Sequence, residues 1–344
     1  MRGIRWAAAV TGAVVVGSVL VSAPVEAKPV RTDWSASWQA VPAAADAAMV
    51  NSDHTFRNVV HLSAGGDAVR VHLSNAYGAA ALNVERATVA VAESSSSSRI
   101  RPGSLRNLSF TGGTGARIGQ GAQAVSDPLP MPVRAGTNLL VSVYVHGQPV
   151  AATIHPKANQ RSYVSTGGDH TADTDGTAFT TPTDSWYYTS EVDVSGAAGT
   201  VVALGDSITN GDGSTSNANR RWTDFLANRQ RKLAISNAGV STEAGALSRF
   251  DRDVLATPGV RAVVIAEGLA DVPSQSGPDG LIASLHQLAA QARAAGLAVV
   301  GGTLTPAPIF VGGKESVRLA VNSWIRHSAD FDAVADFDQA VRDP

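Results

Sequence analysis

Ser207 has the setting that most favours covalent chemistry. It closes VVALGDS, in which a largely apolar run from Val201 leads into Gly205-Asp206-Ser207. A serine at the C-terminal end of a short apolar strand stands where α/β enzymes place their reacting groups. The polar run that follows reads as a loop, with a helix beginning near Arg221. A hydroxyl nucleophile needs a general base, an orienter for that base, and donors for the oxyanion formed on attack. Ser207 supplies its own backbone N–H. Gly239 is the candidate for a second N–H, because no side chain blocks its approach. The Gly268–Asp271 turn is the natural source of a side-chain donor, yet Leu269 and Ala270 have none to give.

The base has no comparable candidate. His286 and His327 follow Ser207 in the chain, but both fall within helical patterns. His155 and His170 lie in polar, Gly/Pro/Asn-rich segments of the other half and would have to reach across to serve; structural or surface duty is the favoured reading for each. The base and its orienter therefore stay unassigned. The remaining histidines, His54, His61, His72 and His146, are scattered, with no HExxH and no carboxylate/histidine spacing typical of metal sites, so neither a metal nor a cofactor is implied. The absence of cysteine excludes thiolate nucleophiles, thiolate metal sites and disulfides. No glycine-rich dinucleotide or phosphate loop is present.

Two kinds of element must position these residues. Residues 28–195 read as a mostly β domain: FRNVVHL from Phe56, DAVRVHL from Asp67, LNVERATVAVAE from Leu82 and TNLLVSVYVH from Thr137 alternate apolar and polar positions between turn residues. Ser94–Ser98 is an exposed loop and Thr171–Ser185 a long surface connection. Trp34 and Trp38 are read as packing the incoming segment rather than as a carbohydrate platform. Residues 196–344 switch to short apolar strands alternating with helices: strands at 201–205, 232–237, 260–267, 297–304 and 333–337, and helices at 222–231, 246–255, 280–296 and 314–328. That pattern is a parallel sheet covered by helices, with its active edge at the strand C-termini.

Apolar residues make up 44% of the 344-residue chain and charged residues 16%, which fits packed domains and not a disordered tail. A formal net charge of -2 without a dense basic cluster excludes a nucleic-acid footprint. Arg2 and Arg5, an apolar run from Trp6 to Val21, and VEA ending at Ala27 form a secretory signal peptide over residues 1–27. The mature chain is expected outside the cell or in the cell wall, without a stable membrane span.

Several of these stretches match one family. Gly205-Asp206-Ser207-Ile208-Thr209, continuing to Gly211, resembles the first block of the secreted actinobacterial SGNH/GDSL hydrolases, with Ser207 as nucleophile. Asn237-Ala238-Gly239 resembles the second block, whose glycine N–H lines the oxyanion hole, and Gly268-Leu269-Ala270-Asp271 falls on the third, where Ala270 takes the place of the oxyanion asparagine. WSASWQAVP, FRNVVHLS, VRVHLSNAYG and SYVSTGGD are similar to the N-terminal part of this subgroup. The resemblance implies a flavodoxin-like three-layer α/β/α domain and a serine esterase or lipase acting on a small-molecule, polysaccharide or lipid ester. The Asp-x-x-His block that would supply base and orienter belongs after Asp336-Phe337-Asp338. The sequence stops at Pro344 before it, so a C-terminally short domain with impaired or absent activity is expected. The alternative is a non-catalytic secreted relative that binds carbohydrate or lipid.

Overall fold

The computed structural model describes residues 33–45, 53–147, 151–241, 245–342; the expected signal segment, residues 1–27, lies outside them. The first part is built from antiparallel sheets. In one, Trp34–Gln39 pairs with Thr189–Ser195, which pairs in turn with Gly66–Ser74. In the other, Ser162–Gly167, His54–His61, Asn138–Val145 and Leu82–Val91 lie side by side. Alternation along these strands turns one apolar set inward: Phe56, Val60, Val71, Leu73, Val89 and Val141 meet in one buried core. A third, small sheet pairs Thr153–Pro156 with Ser185–Tyr187. The expected surface connection 171–185 contains a short strand, Thr181–Thr183, hydrogen-bonded to Ser162–Gly167. Trp38 is buried edge-on against Trp186, with ring centroids 4.9 Å apart, and the Arg70 guanidinium lies 4.3 Å over the ring of Trp34.

Pairing changes from antiparallel to parallel between Ser195 and Thr200. The strands Thr200–Gly205, Ala234–Gly239, Val260–Ala266, Ala298–Gly302 and Ala333–Ala335 form one parallel sheet. Across the sheet the order is second, first, third, fourth, fifth. The strand leading into Ser207 is therefore internal, and Val202 and Leu204 are fully buried, as a continuous apolar run predicts. The helix Asp279–Ala294 buries Leu281, Leu285, Leu288 and Ala292, and Lys314–His327 buries Val317, Val321 and Ile325. Both faces join the strands in a second core.

Three elements differ from the sequence reading. The run after Ser207 is not all loop: Ser207–Asn210 is one helical turn, begun by the Asp206 side chain accepting from Ile208 N–H and ended by Gly211 at φ 102°. Residues 246–255 are an α-helical segment, Ala246–Phe250, followed by a π-helical turn, Asp251–Leu255. The last strand is only Ala333–Ala335, because Asp336 caps a new helix, Phe337–Val341.

The two regions are joined through the first strand. Ala36 N–H donates to Thr200 Oγ1 at 3.0 Å, Gln39 Nε2 to the Asp253 carbonyl at 3.1 Å, and Ser236 Oγ to Gln39 Oε1 at 2.7 Å. Among the described residues no helix is long and apolar enough to cross a membrane.

Candidate active site

Ser207 stands half-buried at the mouth of the parallel sheet, on the first residue of its helical turn. The turn is held from beneath by Asp206. The two oxygens of its buried carboxylate accept from Ile208 N–H at 3.0 Å and Leu269 N–H at 3.1 Å. Burial raises the Asp206 carboxyl above its ordinary value, and the N–H groups of Ile208, Leu269 and Ala270 oppose that shift. One carboxylate thus ties the serine turn to the Gly268–Asp271 turn. Ala270 reaches the site as backbone only.

Gly239, the expected second oxyanion donor, lies at the end of the second parallel strand. Its N–H donates to Asn237 Oδ1 at 2.9 Å, so the donor assigned to an oxyanion is already in use. A Cβ at this position would come 2.2 Å from the Asn210 nitrogen. Glycine is needed here because the serine turn packs directly on the end of the second parallel strand. Asn237 completes the joint, donating from Nδ2 to the Thr209 carbonyl at 2.8 Å and to Thr223 Oγ1 at 3.0 Å.

The histidines do not converge on Ser207. His155 does cross from the β region to the serine turn, but it binds the end of that turn. Its Nε2 is 2.7 Å from Asn210 Oδ1 and its Nδ1 2.9 Å from the Val41 carbonyl. Asn210 Nδ2 faces three acceptors, the Lys157 carbonyl, Asp212 Oδ1 and Ser241 Oγ, which fixes Oδ1 toward the imidazole. Both ring nitrogens therefore face acceptors. A protonated ring satisfies both and a neutral ring one, while burial pulls the His155 pKa down. His170 is held by Asp173 at 2.7 Å and the Gly167 carbonyl at 3.1 Å, inside the β region. His286 pairs with Asp330, and His327 bonds the Ser323 carbonyl on its own helix. Asp336 and Asp338, which precede the place expected for the final block, are both engaged. Asp336 accepts from Arg326 and from Thr303 Oγ1, and the Arg326 guanidinium holds its carboxyl far below the usual range. Asp338 is buried against Arg318 and Arg326.

Sequence reasoning missed two charged groups behind the serine. Arg249 is buried and donates to the Ala238 and Gly205 carbonyls at 2.8 and 2.9 Å, clamping the C-terminal ends of two adjacent strands. Its Nη2 lies 3.4 Å from Glu267 Oε2. Burial pushes the Glu267 carboxyl up to about 8, against the pull of Arg249. A charged residue inside an apolar helical pattern was the available signal for Arg249; its two carbonyl targets come from different strands and leave no trace in spacing.

An apolar groove of about 170 Å³ opens beside Asp206, lined by Ile208, Trp222, Leu269, Leu304, Phe337 and Val341. A metal site was not expected, but one group of possible ligands does form: His72, Glu191 and Asp193 bring ligand atoms within 4.8 Å of one another. The antiparallel register places His72 beside Glu191 across two strands far apart in sequence.

Residues 203–344 match the model of the GDSL-like Lipase/Acylhydrolase family. This region is a distant relative of the SGNH/GDSL hydrolases. Among solved structures, the SGNH-hydrolase family esterase AlinE4 is similar at 19% identity, over 43% of this chain and 81% of that one, with a TM-score of 0.37. A G-D-S-L family lipolytic protein from Desulfitobacterium hafniense DCB-2 is similar at 23% identity, over 42% and 80%, with a TM-score of 0.36. TesA is similar at 24% identity, over 39% and 76%, with a TM-score of 0.34. No curated protein matches the sequence. The matched region begins within the strand leading into Ser207 and takes in the serine turn, Gly239 and the Gly268–Asp271 turn.

Proposed function

We propose that the chain is a secreted SGNH/GDSL-type ester hydrolase scaffold in which Ser207 is the nucleophile and turnover is impaired or absent. The second-first-third-fourth-fifth strand order supports a flavodoxin-like reading of the C-terminal region, and it puts Ser207 beside the point where strand order reverses. In the proposed reaction Ser207 Oγ attacks the ester carbonyl, its proton passes to the departing alkoxide, which leaves as the alcohol, and water hydrolyses the acyl-enzyme to the free acid and the restored serine hydroxyl. The apolar groove beside the serine turn would take the acyl portion of the ester.

The engagement of His155 carries the reading of low turnover. The histidine that approaches the serine turn has both nitrogens committed, to Val41 and Asn210. Gly239 N–H is committed to Asn237, and Ala270 has no side-chain donor. One lost oxyanion donor costs about 3 kcal/mol of transition-state stabilisation, and a serine without a base keeps its ordinary, unreactive pKa.

Hydrolysis of a short p-nitrophenyl ester by the 344-residue chain tests this. The expected rate is at or near the uncatalysed background, unchanged by Ser207→Ala and not rescued by Ala270→Asn alone. Ordinary esterase turnover abolished by Ser207→Ala would overturn the proposal of impaired activity and leave the nucleophile assignment standing.

A further inference from the structure

We propose that His72, Glu191 and Asp193 form a divalent-metal site for which zinc is the matching ion. The three side chains come from Gly66–Ser74 and Thr189–Ser195, neighbours in one antiparallel sheet. His72 Nε2 lies 3.3 Å from Glu191 Oε1 and 2.8 Å from Asp193 Oδ2. All three residues are buried, Asp193 completely.

The two oxygens of Asp193 are treated unequally. Oδ2 accepts from Arg70 Nε at 3.1 Å and Nη2 at 2.6 Å, and faces His72. Oδ1 is buried with no hydrogen-bond partner. A buried carboxylate oxygen needs a donor or a cation. Glu191 and Asp193 bring two carboxylates beside the one guanidinium of Arg70. Arg252 is near but already paired with Asp253 at 2.6 Å. A divalent ion bound by Asp193 Oδ1, Glu191 and His72 Nε2 satisfies the orphan oxygen.

One imidazole with two carboxylates is a donor set suited to zinc. Arg70, gripping the other oxygen of Asp193, plays the part of the outer partner that orients a liganding carboxylate. A cavity of about 320 Å³, lined by His72, Ser190 and Glu191 on one side and Arg252, Asp253 and Ala256 on the other, gives the ion an entry path and room for water as a fourth ligand. The site lies at the seam between the β region and the π-helical turn. Its expected role is to hold that seam, independently of Ser207.

The test is calorimetric titration of the chelator-treated full chain with Zn²⁺, read together with melting temperature and zinc K-edge absorption. One saturable site per chain is expected, with a rise in melting temperature and a nitrogen/oxygen shell at about 2.0–2.1 Å. Glu191→Gln and His72→Ala should each abolish saturable binding, and Arg70→Met should weaken it by about tenfold or more. Far-UV circular dichroism checks the fold; if His72→Ala fails to fold, the near-isosteric Glu191→Gln decides. Saturable binding retained in Glu191→Gln would assign the ion to exposed pairs such as His286–Asp330 and overturn the proposal. No zinc binding by the unaltered chain would overturn it too, leaving a proton shared between Glu191 and Asp193 as the occupant.

Discussion

Replacing Glu267 by glutamine removes an ionisable group behind the serine turn while keeping its shape. Burial pushes the Glu267 carboxyl up to about 8 from an ordinary 4.5, and Asp206 and Asp271 add to the effect against Arg249. The sign follows from linkage. Below about pH 4.5 the carboxyl is neutral in both folded and unfolded chains. As the pH rises further, the unfolded chain releases its proton first, so stability falls until the folded group ionises near pH 8 and is level beyond it. Integrated from about pH 5 to 8, this costs the native state about 3.5 kcal/mol at most. The glutamine variant carries no such loss. Urea unfolding of both proteins at a series of pH values should show the variant gaining on the parent by roughly 2–4 kcal/mol across that range. A constant difference, or a parent that gains on the variant as pH rises, would refute the reasoning. It would mean that Glu267 is already ionised and that its attraction to Arg249 outweighs its burial.

Gly239→Ala should destabilise the fold by roughly 1–3 kcal/mol in chemical denaturation, since the new Cβ meets backbone that cannot swing aside; unchanged stability would show that the serine turn can lift off the strand end. Asn210→Ala leaves a buried His155 nitrogen without its partner and should cost on the order of 2 kcal/mol, measured the same way. If that variant is as stable as the parent, the His155–Asn210 bond does not hold the two regions together.

The parallel sheet was legible because its strands are short apolar runs closed by glycine or polar turns, and both faces of such strands are buried. The serine turn was obscured. Thr209, Asn210 and Gly211 look like loop residues, and it is the Asp206 cap below them that makes one helical turn. Gly239 was picked out as a close-approach glycine, and the Asn210 backbone packs against it; which backbone would come so near depends on packing between elements, which periodicity does not encode. His72, Glu191 and Asp193 were invisible for a related reason. Their meeting depends on the register of two strands whose hydrogen-bonded sides are 121 positions apart for the His72–Asp193 pair. The assignment of His155 to structural duty agrees with its place, and what fixes that place is an asparagine amide with every other hydrogen-bonding direction already taken.

The Trp34–Gln39 strand leaves the ribosome early and is completed late. One side of it waits for Thr189–Ser195, and Gln39 reaches its partner at Asp253 across 214 positions. During synthesis from the N-terminus, the nascent β layers therefore present an unfinished edge, with Ala36 N–H awaiting Thr200 and Pro258. Contacts this distant in sequence slow folding, since loop closure precedes the gain from packing. The two regions, distinct in architecture, are thereby bound to a common folding schedule: the half that is made first depends for its closure on the half that is made last.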